Sequence, residues 1–146
     1  MTEDPVLLRC PSCGTVNRVP ASRLPEHPKC GKCKVPLSFP RVPVDVTDAT
    51  FPREVLQWPG AVLVQFWSPR CGICRSMAPS IREIARKGAG RLKVALVNVD
   101  TEQSLAYRFR IQGVPAFFLY RNGVKVNEIT GGMQEYQLKS WIDTSL

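Results

Sequence analysis

The sequence predicts an α/β domain that is preceded by a small cysteine-rich domain, and three observations support this. From about residue 41 onward, apolar runs of strand length alternate with segments of helical periodicity. The last two runs flank Asn122-Gly123, a strong signal for an antiparallel hairpin. The residues before 41 instead hold four of the six cysteines, many prolines and few large hydrophobic side chains.

The first half of the α/β domain contains four predicted elements. Residues 42–46 predict a short strand, and a threonine or aspartate at 47–48 can cap a helix that runs to about residue 57. Residues 61–67 form a continuous apolar run, which is typical of a strand buried on both faces. A long helix follows over 72–87, because its apolar side chains recur at helical spacing.

The second half completes the order β-α-β-α-β-α-β-β-α. Residues 92–99 are rich in β-branched side chains and predict a strand, and 101–109 predict a short helix. Residues 116–120 and 124–129 form the two strands of the hairpin, and 134–144 form a closing amphipathic helix. We therefore assign the α/β domain to residues 41–146.

Residues 1–40 cannot bury enough apolar surface to offset the entropy lost on folding, so something else must hold them together. Cys10-Pro-Ser-Cys13 and Cys30-Gly-Lys-Cys33 are separated by sixteen residues, the spacing of a two-knuckle zinc site. Four thiolates complete a tetrahedral shell and leave no position for a substrate, so we expect one structural Zn²⁺. The predicted ligands of this zinc-ribbon-like domain are Cys10, Cys13, Cys30 and Cys33.

The cysteine spacing leaves other interpretations of residues 1–40 open. The four thiols could form two reducible disulfides or lie free on the surface, and a tetrathiolate site also accepts iron, as in rubredoxin. His27 could replace one cysteine, although four sulfurs already complete the shell. Gly14 and Gly31 lie where the tight turns of such pairs can demand a positive φ.

The third pair, Cys71 and Cys74, lies at a predicted strand-to-helix junction. The partial positive charge at a helix start favours the thiolate of Cys71, and Arg70 and Arg75 add to it. Such a thiolate attacks a disulfide, and Cys74, one helical turn further on, then resolves the mixed disulfide. The alternatives are weaker, because a structural disulfide would close a tiny loop and no further cysteine pair remains for a metal.

Residues 42–146 resemble thioredoxins, and the first forty residues extend the resemblance to the thioredoxin-2 type with its zinc-binding amino-terminal domain. The resemblance implies the thioredoxin fold, a central mixed sheet flanked by helices. The motifs that carry it are Val64-Gln-Phe-Trp-Ser-Pro-Arg-Cys-Gly-Ile-Cys-Arg75, Pro79, Asn98-Val-Asp100, Gly113-Val-Pro115 and Asn122-Gly123.

The resemblance also implies a groove for an extended client segment beside the cysteine pair. Pro115 matches the family's cis-proline, and Val114 would supply the backbone groups that pair with the client. Gly131 matches a glycine that lines the groove, and Trp67 a tryptophan beneath the active-site loop, although a trans turn proline and a core tryptophan are the plainer alternatives. The implied groove and support residues are Trp67, Arg70, Gly72, Ile73, Val114, Pro115 and Gly131.

The sequence departs from the family pattern at three places. Ile73 replaces a proline that stiffens the first helical turn, which should alter the balance between dithiol and disulfide. Arg70 replaces a tryptophan, which favours thiolate and acidic clients. Gln65 and Leu96 replace a buried acid and its lysine partner, so Cys74 must lose its proton through water or directly to the departing Cys71 thiolate.

The leading functional prediction is a cytoplasmic thiol–disulfide oxidoreductase that reduces client proteins and is recharged by thioredoxin reductase. A disulfide oxidase or isomerase, or a zinc-ribbon module that mainly binds clients, are the alternatives. We expect a cytoplasmic protein, because the amino terminus lacks an apolar signal segment, and no membrane span, because no segment approaches roughly 18 consecutive apolar residues. The net charge of +8 is scattered, so we expect no nucleic-acid partner, and a monomer is the default.

Overall fold

The protein is described here from a computed structural model, which covers residues 5–146. The first four residues of the predicted amino-terminal domain lie outside these described residues. The chain begins with an antiparallel pair, β1 (Pro5–Arg9) and β2 (Val16–Pro20), followed by a 3-10 helix over Ala21–Glu26. A small core beside this pair contains Val6, Leu8, Cys10, Val19, Cys30 and Leu37.

The remainder of the chain forms a five-stranded mixed sheet, which confirms the predicted fold class. Its strands are β3 (Val44–Asp45), β4 (Ala61–Trp67), β5 (Leu92–Asn98), β6 (Ala116–Arg121) and β7 (Val124–Thr130). Their order across the sheet is β3-β5-β4-β6-β7. β5 is parallel to β3 and β4, whereas β6 is antiparallel to both of its neighbours.

Helices cover both faces of this sheet. They are α1 (Gly72–Gly88), α2 (Gln103–Arg108) and α3 (Glu135–Ser145). α1 and α3 contribute Ile81, Leu138 and Ile142 to a core on one face, and Leu105 of α2 packs in the core on the other. Within residues 5–146, no helix combines the length and the apolar character needed to cross a membrane.

Two predicted elements near the domain start differ from the structure. The strand predicted over 42–46 is only two residues long, because Pro43 has no N–H and the strand lies at the sheet edge. The helix predicted over 47–57 is a turn followed by a π-helical stretch, Pro52–Leu56, in which Gln57 N donates to Pro52 O (2.8 Å). Pro52 has no N–H with which to continue an α-helical ladder.

A buried lysine lies within β5. Lys93 has no exposed surface, and its Nζ forms an ion pair with Glu54, donates to Glu54 O (2.9 Å) and lies 3.8 Å from the ring centroid of Trp58. Burial lowers the pKa of Lys93, and the hydrogen bond to Glu54 opposes this shift. The counter-charge and the ring satisfy a charge that could not otherwise be buried.

The cysteine-rich segment packs against the end of the sheet where β4 begins. The Arg9 guanidinium donates two hydrogen bonds to Gln57 O (3.1 and 2.9 Å). The rings of Phe39 and Trp58 meet edge to face, with centroids 5.9 Å apart. Cys71 follows the opposite end of β4, so these contacts with Gln57 and Trp58 lie at the far end of that strand from Cys71.

Candidate redox site and metal site

Cys71 and Cys74 form a disulfide at the start of α1. Cys71 is the N-cap, with extended backbone angles (φ −85°, ψ 110°), and Cys74 N donates to Cys71 Sγ at 3.1 Å. Cys74 is buried, with 4% of its surface exposed, whereas Cys71 is half-buried. Solvent and a partner can therefore reach Cys71 before they reach Cys74.

The turn between β4 and α1 is held by hydrogen bonds from its own backbone and from the end of β5. Cys71 N donates to Ser68 O (3.0 Å), and the Ser68 hydroxyl donates to the carboxylate of Asp100 (2.7 Å). Val99 N donates to Trp67 O (2.9 Å). Trp67 is half-buried beneath this turn, and its Nε1 has no hydrogen-bond partner among the described residues.

Arg70 is paired with a carboxylate that the sequence analysis did not assign to it. Its guanidinium contacts both carboxylate oxygens of Asp100, at 3.0 and 3.3 Å, although the side chain is 85% exposed. The hydrogen bond from Arg70 lowers the pKa of Asp100, with a further contribution from Ser68. Asp100 therefore offsets part of the positive charge that Arg70 brings to Cys71. Asp100 belongs to the Asn98-Val-Asp100 motif, but nothing in that motif indicates that its carboxylate pairs with Arg70.

Arg75, the second arginine beside the pair, folds back across the start of α1. Its guanidinium donates to Pro69 O at 2.7 Å. Gly72, the first residue of α1, is exposed, and Ile73 exposes 54% of its surface. The solvent-facing surface around Cys71 thus combines one apolar side chain with the two arginines.

The residues predicted to line a client groove lie together beside Cys71. The peptide bond between Val114 and Pro115 is cis, and Val114 O lies 3.7 Å from Cys71 Sγ. Gly131 N donates to Pro115 O (2.9 Å), and Gly131 has a φ of +116° that favours glycine. Pro115 is buried and Val114 is half-buried. Their roles toward a client stay predictions.

A cavity of about 370 Å³ opens behind Cys74 and is lined by Trp67, Gln65 and Leu96 among others. Gln65 and Leu96 are direct neighbours across β4 and β5, and Gln65 is 4% exposed. An amide and an isobutyl group therefore face Cys74 across this cavity, where the family has a carboxylate and an ammonium. Neither side chain can accept a proton from a thiol.

The four amino-terminal cysteines form a compact cluster. All four sulfurs lie within 4.8 Å of one another, with Cys10–Cys33 at 3.5 Å and Cys13–Cys30 at 3.6 Å. A tetrahedral ion with bonds of about 2.3 Å places its sulfurs about 3.8 Å apart, so the spacing of the four sulfurs is compatible with zinc. The backbone N–H of Cys33 lowers the pKa of Cys30 to about 6, whereas against a lowering hydrogen bond from the Val35 backbone, burial and the neighbouring thiols raise the pKa of Cys33 to about 11. The thiols therefore hold their protons unequally, and an ion would have to displace them.

The two knuckles of this cluster use the same turn. Gly14 N donates to Cys10 O and Lys34 N donates to Cys30 O, both at 3.0 Å. Gly14 has a positive φ (78°), as predicted, but Gly31 does not, and Lys34 (φ 68°) occupies the place that matches Gly14. The prediction for Gly31 was wrong because the turn reverses after the second cysteine and not between the two. The cluster consists of the cysteines without His27.

A mixed sheet between helical layers, with a Cys-x-x-Cys disulfide at the start of its first long helix, defines the thioredoxin-fold class of thiol–disulfide oxidoreductases. The family model described as thioredoxin matches residues 42–144, and the model described as thioredoxin 2, N-terminal, matches residues 9–35. The chain therefore belongs to the thioredoxin family, and it carries the amino-terminal zinc ribbon of the second model.

Individual relatives support this assignment. Thioredoxin C-3 of Corynebacterium nephridii is 30% identical over 143 residues, which cover 97% of this chain and 96% of that relative. Thioredoxin 1 of Synechococcus elongatus is 39% identical over 101 residues, 69% of this chain and 94% of its own length. The structure of a thioredoxin variant from Halobacterium salinarum superposes with a TM-score of 0.67 and 30% identity, covering 74% of this chain and 94% of that one.

Asp100→Asn should increase the reactivity of Cys71 in the reduced protein. The change removes the charge that offsets Arg70, so more Cys71 is thiolate at a given pH. We expect alkylation by iodoacetamide below pH 7 to become about two- to fivefold faster at low salt, and less so at high salt.

The matched control is Asp48→Asn, which breaks another surface pair, Asp48–Arg108, without a contact to the turn before Cys71. An equal rate increase in both variants would show that Asp100 acts only through the overall charge of the protein.

Proposed function

We propose that this protein reduces disulfides in client proteins by dithiol–disulfide exchange at Cys71 and Cys74. The observation that carries the proposal is the unequal exposure of the pair: Cys71 caps α1 and is half-buried next to Val114 O, whereas Cys74 is buried. This arrangement supports one attacking and one resolving thiol. The four-cysteine cluster is a separate group of thiols, to which we assign no part in the exchange.

The reaction transfers two electrons from the pair to the client. The reduced protein presents the Cys71 thiolate, which attacks one client sulfur, and the other client sulfur leaves as a thiolate. Cys74 then loses its proton and attacks Cys71, so that the mixed disulfide breaks and the second client sulfur leaves. The client sulfurs take up protons to become thiols, and the protein returns to the disulfide form that the structure holds.

The groove residues support the binding of an extended client. Val114 O lies near Cys71 Sγ, and the Val114 backbone can pair with a client strand in the manner of an added β-strand. Pro115 and Gly131 shape the floor, and Trp67 supports the loop from below. Thioredoxin reductase then returns the disulfide to the dithiol, and the cytoplasm, which keeps thiols reduced, is the compartment that suits this direction of transfer.

Serine variants of the two cysteines test the proposal. Cys74→Ser should accumulate a stable mixed disulfide with a client, because Cys71 still attacks but nothing resolves the product. Cys71→Ser should trap nothing, and both variants should lose catalytic insulin reduction. Retention of insulin reduction by either variant would contradict the exchange mechanism. Client binding that persists in the double variant, together with wild-type protein that reduces nothing, would favour a binding module.

The cluster of four thiols would hold one Zn²⁺, which stabilises the fold of the amino-terminal segment. The small core there contains only a few aliphatic side chains, so bonds to an ion would supply much of its stability. Metal analysis of the purified protein should find one zinc per chain in wild type and in the Cys71→Ser/Cys74→Ser variant.

Removal of that zinc by a chelator should raise amide hydrogen exchange in β1 and β2 while β4 to β7 stay protected. Stoichiometric iron, with the visible absorption of an iron tetrathiolate, would show that the ion is not zinc. Protection in β1 and β2 that survives complete removal of the ion would contradict its structural role.

Gln65 should slow the resolving step at neutral pH, because its amide cannot accept the proton of Cys74 and the carboxylate that lines the same cavity, Asp45, lies two strands away on β3. Gln65→Asp should therefore accelerate resolution of the mixed disulfide about tenfold or more above the pKa of the new carboxyl group. Since Leu96 cannot pair with it, the new carboxyl should also lower the free energy of unfolding by roughly 1–3 kcal/mol.

Gln65→Asn is the matched control, because asparagine has the shape of aspartate without its basicity. Stopped-flow measurement of resolution against pH checks the prediction, and identical profiles for the Asp and Asn variants would refute it.

A further inference from the structure

The side chain of Ile73 lies directly on Gly132, a residue outside the family motifs. A Cβ built on Gly132 would lie 2.5 Å from Ile73 Cγ2 and 3.9 Å from Ile73 Cβ. Chain neighbours aside, no other described residue comes within 4 Å of that position, and the φ of Gly132 is outside the left-handed region. Contact with Ile73, and not backbone strain, is therefore the constraint at residue 132.

Ile73 cannot move away from Gly132 without disturbing the pair. It lies in the first turn of α1, between Gly72 and Cys74, and a β-branched side chain in a helix has one strongly preferred rotamer. Its Cγ2 branches directly from Cβ, so this methyl moves only if χ1 changes rotamer or the turn itself shifts. A methyl group at residue 132 would push the first turn of α1 away from the loop after β7, and the two cysteines would move with that turn.

The same loop is joined to the client groove. Gly131 donates to Pro115 O, and Val114 O lies next to Cys71 Sγ. The contact between Ile73 and Gly132 therefore closes a ring of contacts: Cys71 to Val114, Pro115 to Gly131, and Gly132 back to Ile73. The exposed part of Ile73 forms the apolar edge of that ring.

We propose that Gly132 is a positioning residue that seats Ile73, and thereby sets how the Cys71–Cys74 pair meets a client. The contact supplies, between two segments, the restraint that the family's usual proline supplies within the turn. A β-branched side chain at residue 73 therefore requires glycine at residue 132. The part of this inference that concerns clients rests on the proposed reductase function.

Gly132→Ala in three backgrounds tests the proposal. Ile73→Val keeps the Cγ2 methyl, whereas Ile73→Leu has the same number of carbon atoms as isoleucine and lacks that branch. With isoleucine or valine at residue 73, we expect Gly132→Ala to lower kcat/KM for insulin reduction roughly threefold to tenfold. A change of that size is typical of the coupling between residues in contact. With leucine at residue 73 the loss of kcat/KM should be under about twofold, because the two residues would then no longer be in contact and their effects would be additive.

Two further measurements separate positioning from a general loss of structure. The loss should lie mainly in KM for insulin, with a smaller change for a small aromatic disulfide that does not occupy the groove. The free energy of unfolding identifies any variant that fails to fold. If Gly132→Ala lowers this free energy, the Ile73→Leu/Gly132→Ala double variant should restore it. Gly113→Ala is the matched control, because its Cβ would meet nothing within 4 Å, and its effect should not depend on residue 73.

The equilibrium constant of the Cys71–Cys74 pair with glutathione needs no client, and it should show the same dependence on residue 73. If wild-type protein does not reduce insulin, the proposed function fails while this measurement still tests the contact. If wild-type protein is active but Gly132→Ala has the same effect with Ile and with Leu at 73, the positioning role is overturned.

Discussion

The redox site depends on one local constraint: the chain leaves the buried strand β4 and enters α1 with Cys71 as the N-cap. β4 is paired on both sides, with β5 and β6, so the point at which it ends is fixed by the sheet. The cap geometry leaves the Cys71 sulfur half-exposed and carries Cys74 into the interior. Under the exchange mechanism proposed above, the backbone geometry would therefore set the attacking and resolving roles before a client binds.

Electrostatics around this cap are more balanced than the sequence suggests. Arg70 and Arg75 flank the pair in sequence, but one guanidinium contacts Asp100 and the other contacts Pro69 O. Arg75 keeps its full charge because its acceptor is a neutral carbonyl, so we expect Arg75 and the amides at the helix start to favour a Cys71 thiolate more than Arg70 does. Arg70, which replaces the family's tryptophan, therefore places an exposed and paired guanidinium beside Cys71. Its electrostatic effect on Cys71 is weaker than that of an unpaired arginine.

Elements that follow from local pattern were predicted well, and contacts between distant segments were not. The apolar run 61–67 is β4, and Asn122 and Gly123 both have the positive φ of a tight hairpin turn. Nothing near Lys93 in the sequence indicates that Glu54 and Trp58 make its burial possible. The Arg70–Asp100 pair and the contact of Ile73 with Gly132 likewise join residues 30 or more positions apart, and each required the fold to bring its partners together.

Three Cys-x-x-Cys pairs of identical spacing perform two kinds of chemistry because the backbone after each pair differs. After Cys13 and Cys33 the chain reverses through a left-handed residue, so each turn closes on itself and both sulfurs face one point. After Cys74 the chain continues as α1, and the sulfurs of Cys71 and Cys74 are bonded to each other. A shared ion needs sulfurs that converge on one point, whereas exchange needs two sulfurs that can bond to each other. The residue that follows the pair, and not the spacing, therefore decides between metal binding and redox exchange.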